Sequence, residues 1–97
     1  MATYISLGNF TEKGARELGD TVKRADGFKK LAKKLGATVK ELVWTQGKYD
    51  IVAIIEAPDD ATAAAVFLSV AKLGNVRGQT LRAFTAAEME KVLEKVA

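Results

Sequence analysis

The chain has no cysteine and no histidine among its 97 residues. Without thiols there is no disulfide, no thiolate nucleophile and no Cys-bound zinc or iron–sulfur cluster. Without imidazole there is no Ser-His-Asp triad and no His-held haem or zinc. Proton transfer, if any, falls to a carboxylate, a phenol or a lysine. A carboxylate-only metal site has no signature here, so neither a metal nor a cofactor is expected. There is one proline, Pro58, and one tryptophan, Trp44. Long apolar runs are missing too. The longest mostly apolar stretch, residues 61–71, is well short of the ~20 residues that a membrane span needs. The start, Met1-Ala2-Thr3-Tyr4-Ile5, runs straight into a strand pattern without the basic and apolar regions of a signal peptide. A cytoplasmic, soluble protein with no membrane partner is expected. Neither sign of charge dominates: 15 Lys and Arg stand against 12 Asp and Glu.

What is present is regular patterning over one domain-sized length, residues 1–97. Residues 3–10 alternate and are rich in Tyr, Ile, Leu and Phe, which predicts a strand. Thr11 can cap a short helical turn weakened by Gly14 and Gly19. Asp20 or Thr21 then opens a longer helix whose apolar residues Val22, Ala25, Phe28, Ala32 and Leu35 recur at three and four. Gly36 stands where a left-handed helix end belongs. Residues 38–46 and 50–57 predict a hairpin turning at Gly47-Lys48. Pro58-Asp59-Asp60 ends it and caps a helix over 61–73. Residues 76–84 predict a fourth strand. Thr85-Ala86-Ala87-Glu88 has the form of a capping box opening a last helix striped by Met89, Val92, Leu93 and Val96. The order β-α-β-β-α-β-α predicts an α+β, ferredoxin-like βαββαβ sandwich. Its four-stranded antiparallel sheet carries both crossover helices on one face, and a C-terminal helix is added.

The third strand is apolar on both parities, Ile51-Val52-Ala53-Ile54-Ile55. Successive side chains point to opposite faces, so both faces of this strand call for cover. Two helices cover one. A second copy, packed face to face about 10 Å away, is the simplest cover for the other, which predicts a homodimer or a larger self-assembly. The helix over 61–73 is apolar almost all round. Either the C-terminal helix lies over it or a neighbouring subunit does.

Several blocks resemble a known family. Tyr4-Ile5-Ser6-Leu7, Asn9-Phe10-Thr11, Lys23-Arg24-Ala25-Asp26, Trp44-Thr45-Gln46-Gly47-Lys48-Tyr49-Asp50, Glu56-Ala57-Pro58-Asp59-Asp60, Gly74-Asn75-Val76-Arg77 and Thr80-Leu81-Arg82-Ala83-Phe84 are similar, in order, to the small bacterial and archaeal GYD-domain proteins. Gly47, Tyr49 and Asp50 would supply the signature. The resemblance implies a dimeric α/β-barrel type of ferredoxin-like fold and carries no assigned activity. Fold relatives of that breadth include cofactor-free oxygenases, isomerases and ligand sensors, which is a weak warrant for any one function.

Six residues are candidates for a ligand site: Asn9, Trp44, Tyr49, Asp50, Arg77 and Arg82. Tyr49 and Asp50 either orient a polar ligand or hold the turn. Trp44 is either a stacking wall or an interface aromatic. Arg77 and Arg82 lie five apart on one strand, so they point to opposite faces. One of them suits a carboxylate in an inter-sheet cavity, or both pair with Asp50, Glu41 or Glu56. Lys23, Lys29, Lys30, Lys33 and Lys34 enrich the second helix. The aromatic strand run that RNA-binding sheets use is absent, so a solvated face explains these lysines and no nucleic-acid partner is expected. The residues thus support a homodimeric binder of a small anionic or aromatic ligand. The alternatives are a non-catalytic assembly or regulatory module, or a cofactor-free isomerase or oxygenase using Tyr49, Asp50 and an Arg. A binder or enzyme requires a cavity of roughly 300 Å³ or more with converging polar groups; a packing module fills that space with aliphatic side chains.

Overall fold

The computed structural model describes residues 1–97. The first strand, β1, spans Ala2–Phe10. A short helix α1, Glu12–Arg16, and a 3-10 turn at Leu18–Asp20 lead into α2, Thr21–Lys34. Strands β2, Thr38–Trp44, and β3, Ile51–Ala57, follow. Helix α3 is Asp60–Ala71, strand β4 is Val76–Ala83, and helix α4 is Ala86–Glu94. The strands form one antiparallel sheet in the order β2-β3-β1-β4. This is the ferredoxin-like arrangement expected from the element order.

The local signals act largely as read. Thr11 accepts a hydrogen bond from the Gly14 backbone, and Asp59 accepts one from that of Thr62. Gly36, with φ of 97°, terminates α2 in the left-handed conformation that only glycine adopts freely. The Thr85–Glu88 capping box is complete in both directions. Two expectations fail. Asp20 stands at the N-cap of α2 but its side chain caps nothing. The β2–β3 connection is not a two-residue turn at Gly47-Lys48. It runs over residues 45–50 and is closed by the Thr45 N–H donating to the Asp50 carbonyl at 2.8 Å.

One face of the sheet carries the helices. Tyr4, Ala32, Ala37, Ile55, Ala57, Ala63 and Val66 form the buried core, with Phe28 and Phe67 packed against it, ring centroids 6.3 Å apart. On β3, Ala53, Ile55 and Ala57 point this way and are buried, and Ile51 points this way half-buried. The core is thin: 11 of the 97 residues are buried, so little of the apolar content is shielded within one chain.

The other face is bare. By register and alternation it presents Ile5 and Leu7 from β1, Val52 and Ile54 from β3, Val43 from β2 and Leu81 from β4. None of the six is buried, and Val43 and Leu81 are each 42% exposed. A β-bulge in β2 between Val39 and Glu41 carries Lys40, whose ammonium lies 3.7 Å from Glu56 on β3.

Helix α4 does not cover α3, which corrects one of the two expected covers. None of its residues is buried, and Leu68 of α3 remains 68% exposed. The chain accordingly exposes 6625 Å², roughly 1,200 Å² more than the ~5,400 Å² expected of a folded monomer of its mass. Its radius of gyration of 14.4 Å exceeds the ~12.5 Å of a compact chain of this length.

Two substitutions test the packing. Ile55 is fully buried, so Ile55→Ala should cost about 2–5 kcal/mol in urea unfolding. Gly78 pairs with Gly8 so closely that a Cβ on it would collide with the Leu7 carbonyl and the Gly8 Cα. Gly78→Ala should therefore cost about 1–3 kcal/mol through strain between β1 and β4; a neutral effect would refute the register.

Candidate functional site

The six candidate residues do not converge. Trp44 is at the end of β2, where its Nε1–H donates to the Thr21 hydroxyl at 2.9 Å. It fastens the sheet to the start of α2 and leaves no free ring face enclosed by a pocket. Asp50 is a structural clamp. Its Oδ2 accepts from the Phe10 backbone N–H at 2.9 Å, and its own N–H donates to the Gly8 carbonyl at 2.9 Å. The carboxylate thus pins the hairpin loop to the end of β1.

Tyr49 turns away from Asp50. Its phenol oxygen accepts from Gln79 Nε2 at 3.0 Å, and its carbonyl accepts from the Thr45 hydroxyl at 2.6 Å. Gln79 belongs to the bare face, as do Asn9 and Arg77, which are paired in register on β1 and β4. Asn9, Tyr49, Arg77 and Gln79 therefore make one polar end of the bare face, while Thr3, Thr38, Glu41 and Glu56 fringe its aliphatic centre elsewhere. Of the six candidates, only Asn9, Tyr49 and Arg77 share a surface.

Arg82 lies on the helix-bearing face, opposite to Arg77. Its guanidinium stacks on Phe84 at 4.6 Å and on Tyr4 at 5.6 Å. It donates to the Thr3 and Ala83 carbonyls and pairs with Glu88 at 3.5 Å. Asp50, Glu41 and Glu56, the acids expected to pair with the arginines, take no part; Glu56 pairs with Lys40 instead. The Tyr4 hydroxyl donates to Asp60. This donated bond, then burial, then the negative charge of Asp60 raise the Tyr4 pKa above its ordinary 10.0, while Arg82 opposes the rise. Tyr4, Asp60, Arg82, Phe84 and Glu88 thus tie β1, α3, β4 and α4 together at one end of the molecule. Sequence reasoning missed this cluster. The only signal for it was alternation, which sets Tyr4 and Arg82 on the same face.

Hydrogen bonds depress two carboxyls here. Asp59 is held below its ordinary 3.8 by the Thr62 N–H that it caps. Glu88 is held below 4.5 first by the Thr85 N–H and further by Arg82.

The concave spaces are modest. A cleft of about 80 Å³ between sheet, α2 and α3 is lined by Arg24, Phe28, Leu42, Ile51, Phe67 and Val76 among others. Its one charged group, Arg24, already donates to the Glu17 and Gly14 carbonyls. A wider groove of about 320 Å³ runs between α3 and β4, past Tyr4, Asp60, Ala64, Phe67, Leu68 and Thr80. It is open and mostly apolar. No group of three or more Asp or Glu side chains is placed to hold a metal ion. No helix is long and apolar enough to cross a membrane.

Fold and surfaces together define a ferredoxin-like α+β sandwich with one bare sheet face and with its polar side chains divided between the two faces rather than gathered in one enclosed site. Comparison with known proteins agrees with that architecture. The GYD domain family model matches residues 4–93, and the chain belongs to that family. A relative from Thermus thermophilus is 34% identical over 93 residues, covering 92% of this chain and 95% of its own length. It is described as a glutamine synthetase and cystathionine beta-lyase binding protein.

The Asp59 cap gives a pH test. Its folded pKa is depressed, so its contribution is present above the unfolded value of 3.8 and is lost as pH falls through the depressed value. Asparagine caps about as well as aspartate without titrating. Asp59→Asn should match the parent near neutrality and lose less stability on acidification, read from urea midpoints across a pH series. Identical acid profiles would remove the cap's role.

Proposed function

We propose that this chain is a homodimeric docking module that binds metabolic enzymes and regulates them, without a reaction of its own. The observation that carries the reading is the bare sheet face. Six aliphatic side chains stand there with no cover from their own chain. The excess of roughly 1,200 Å² over a compact monomer exceeds the ~800 Å² per partner of a standard interface. A second copy placed face to face covers the aliphatic patch symmetrically.

Such a dimer leaves its helical layers outward, one on each side. Each displays Lys23, Lys29, Lys30, Lys33 and Lys34 on α2, all exposed, beside the exposed Val22 and Leu35. Apolar residues framed by positive charge suit an acidic protein surface. The Thermus relative's description supports enzymes as the partners, with glutamine synthetase and cystathionine β-lyase the first to try. The compartment proposed for this encounter is the cytoplasm.

Small-molecule binding, the leading reading of the sequence, becomes secondary. It keeps one specific place, the Asn9, Tyr49, Arg77 and Gln79 end of the bare face. In a face-to-face dimer these four groups line the mouth of the inter-sheet space and would hold a small anion.

Sedimentation equilibrium should find a dimer at micromolar concentration, and Ile54→Glu should convert it to a folded monomer. Isothermal titration against the two enzymes of the same organism should show binding. Lys30→Glu with Lys34→Glu should weaken it by roughly tenfold, about 1.4 kcal/mol. Absence of binding to either enzyme at low salt would sink the docking reading, whatever the oligomeric state.

A further inference from the structure

Apart from the bulge residue Lys40, the strands set three charged side chains on the bare face: Glu41, Glu56 and Arg77. Glu56 has its partner in Lys40. Glu41 on β2 and Arg77 on β4 are both exposed and form no ion pair within the chain. One acid and one base are thus left over on a face that is otherwise ready to be covered.

The two cannot meet in one chain. Glu41 is level with Ile54 and Ile5, whereas Arg77 is level with Asn9, four residues further along β1. That offset is about 14 Å along the strands, and the three strand spacings from β2 to β4 add about 14 Å across them. Glu41 and Arg77 therefore stand at opposite corners of a nearly square patch, roughly 20 Å apart. The midpoint of that diagonal falls at Leu7 and Val52, which are paired with each other on β1 and β3.

The Arg77 corner is furnished for a carboxylate. The Tyr49 oxygen accepts from Gln79, which leaves the phenol hydrogen free to donate. The Asn9 amide, level with Arg77, adds a further donor. The guanidinium itself presents a fork that fits two oxygens.

Covering the face with a second copy takes this corner out of water, and a guanidinium buried without an acid is costly. The direction of the two-fold axis decides whether an acid is there. Let the two sheets be centred on Leu7 and Val52. With the axis along the strands, Arg77 lies over the partner's Thr45 and Glu41 over the partner's Leu81. With the axis across the strands, Arg77 lies over the partner's Leu81 and Glu41 over the partner's Thr45. Both settings strand both charges. With the axis perpendicular to the diagonal, the two corners change places, so Arg77 meets the partner's Glu41 and Glu41 meets the partner's Arg77. The strands of the two sheets then cross at about 90°, the orthogonal class of sheet packing.

We infer that each protomer supplies Glu41 to the Arg77 corner of the other, so that two reciprocal ion pairs close the dimer on either side of Leu7 and Val52. The inference rests on the homodimer proposed above and adds its orientation. The small anion considered for this corner is then a carboxylate of the assembly itself.

Charge reversal tests the pairing. Both residues are exposed on outer strands, so Arg77→Glu and Glu41→Arg should fold as the parent does by circular dichroism. Each reversal alone sets like charges together at both contacts. Sedimentation equilibrium should find the dimer dissociation constant of each raised about a hundredfold, roughly tenfold for each contact. Mixing the two variants should restore association, because both contacts of the mixed dimer join opposite charges. The double variant, Arg77→Glu with Glu41→Arg, should dimerise by itself for the same reason. Single variants that dimerise like the wild type, or a mixture that regains no dimer, would overturn the pairing and leave the homodimer standing. A wild type that sediments as a monomer overturns the homodimer and the pairing together.

Discussion

The organising constraint is that a sheet has two faces and this chain brings cover for one. β3 is aliphatic on both, with Ala53 and Ile55 under the helices and Val52 and Ile54 facing out. Burying the outward pair and its neighbours on β1, β2 and β4 is worth about 25 cal/mol for each Å² removed from water. One chain has no element left to do it. The thin core and the large exposed area follow from the same shortage of cover.

Much of the fold was legible because its signals are local. Alternation located the strands, the three-and-four spacing located α2, and Thr85 with Glu88 marked the start of α4 to the residue. Alternation also set Arg77 and Arg82 on opposite faces, as the β1–β4 register has them. The hairpin loop was misjudged because Asp50 is recruited by β1: its bonds to Phe10 and Gly8 cross forty residues, and no turn rule sees them.

The site was less legible for a related reason. Tyr49 and Asp50 are adjacent in sequence and read as a pair, yet one reaches over the bare face to Gln79 and the other is spent on backbone N–H groups. The Tyr4–Asp60–Arg82 cluster joins three elements distant in the chain, so nothing short-range announces it. The outer position of α4 was equally hidden. Its apolar spacing was plain in the sequence, but that none of its residues would be buried, and that Glu88 would tie it to Arg82, depends on contacts distant in the chain.

The bulge at Lys40 has a bearing on how copies meet. β2 is an outer strand of the sheet, and a straight outer strand offers a row of free N–H and C=O groups to any passing strand. Here the extra residue breaks that row, and its ammonium is drawn to Glu56 beside it. Side-by-side growth into open-ended filaments is thereby discouraged, while stacking through the aliphatic surface stays open. A protein that displays so much hydrocarbon to water can thus associate and still stop at a closed, finite particle.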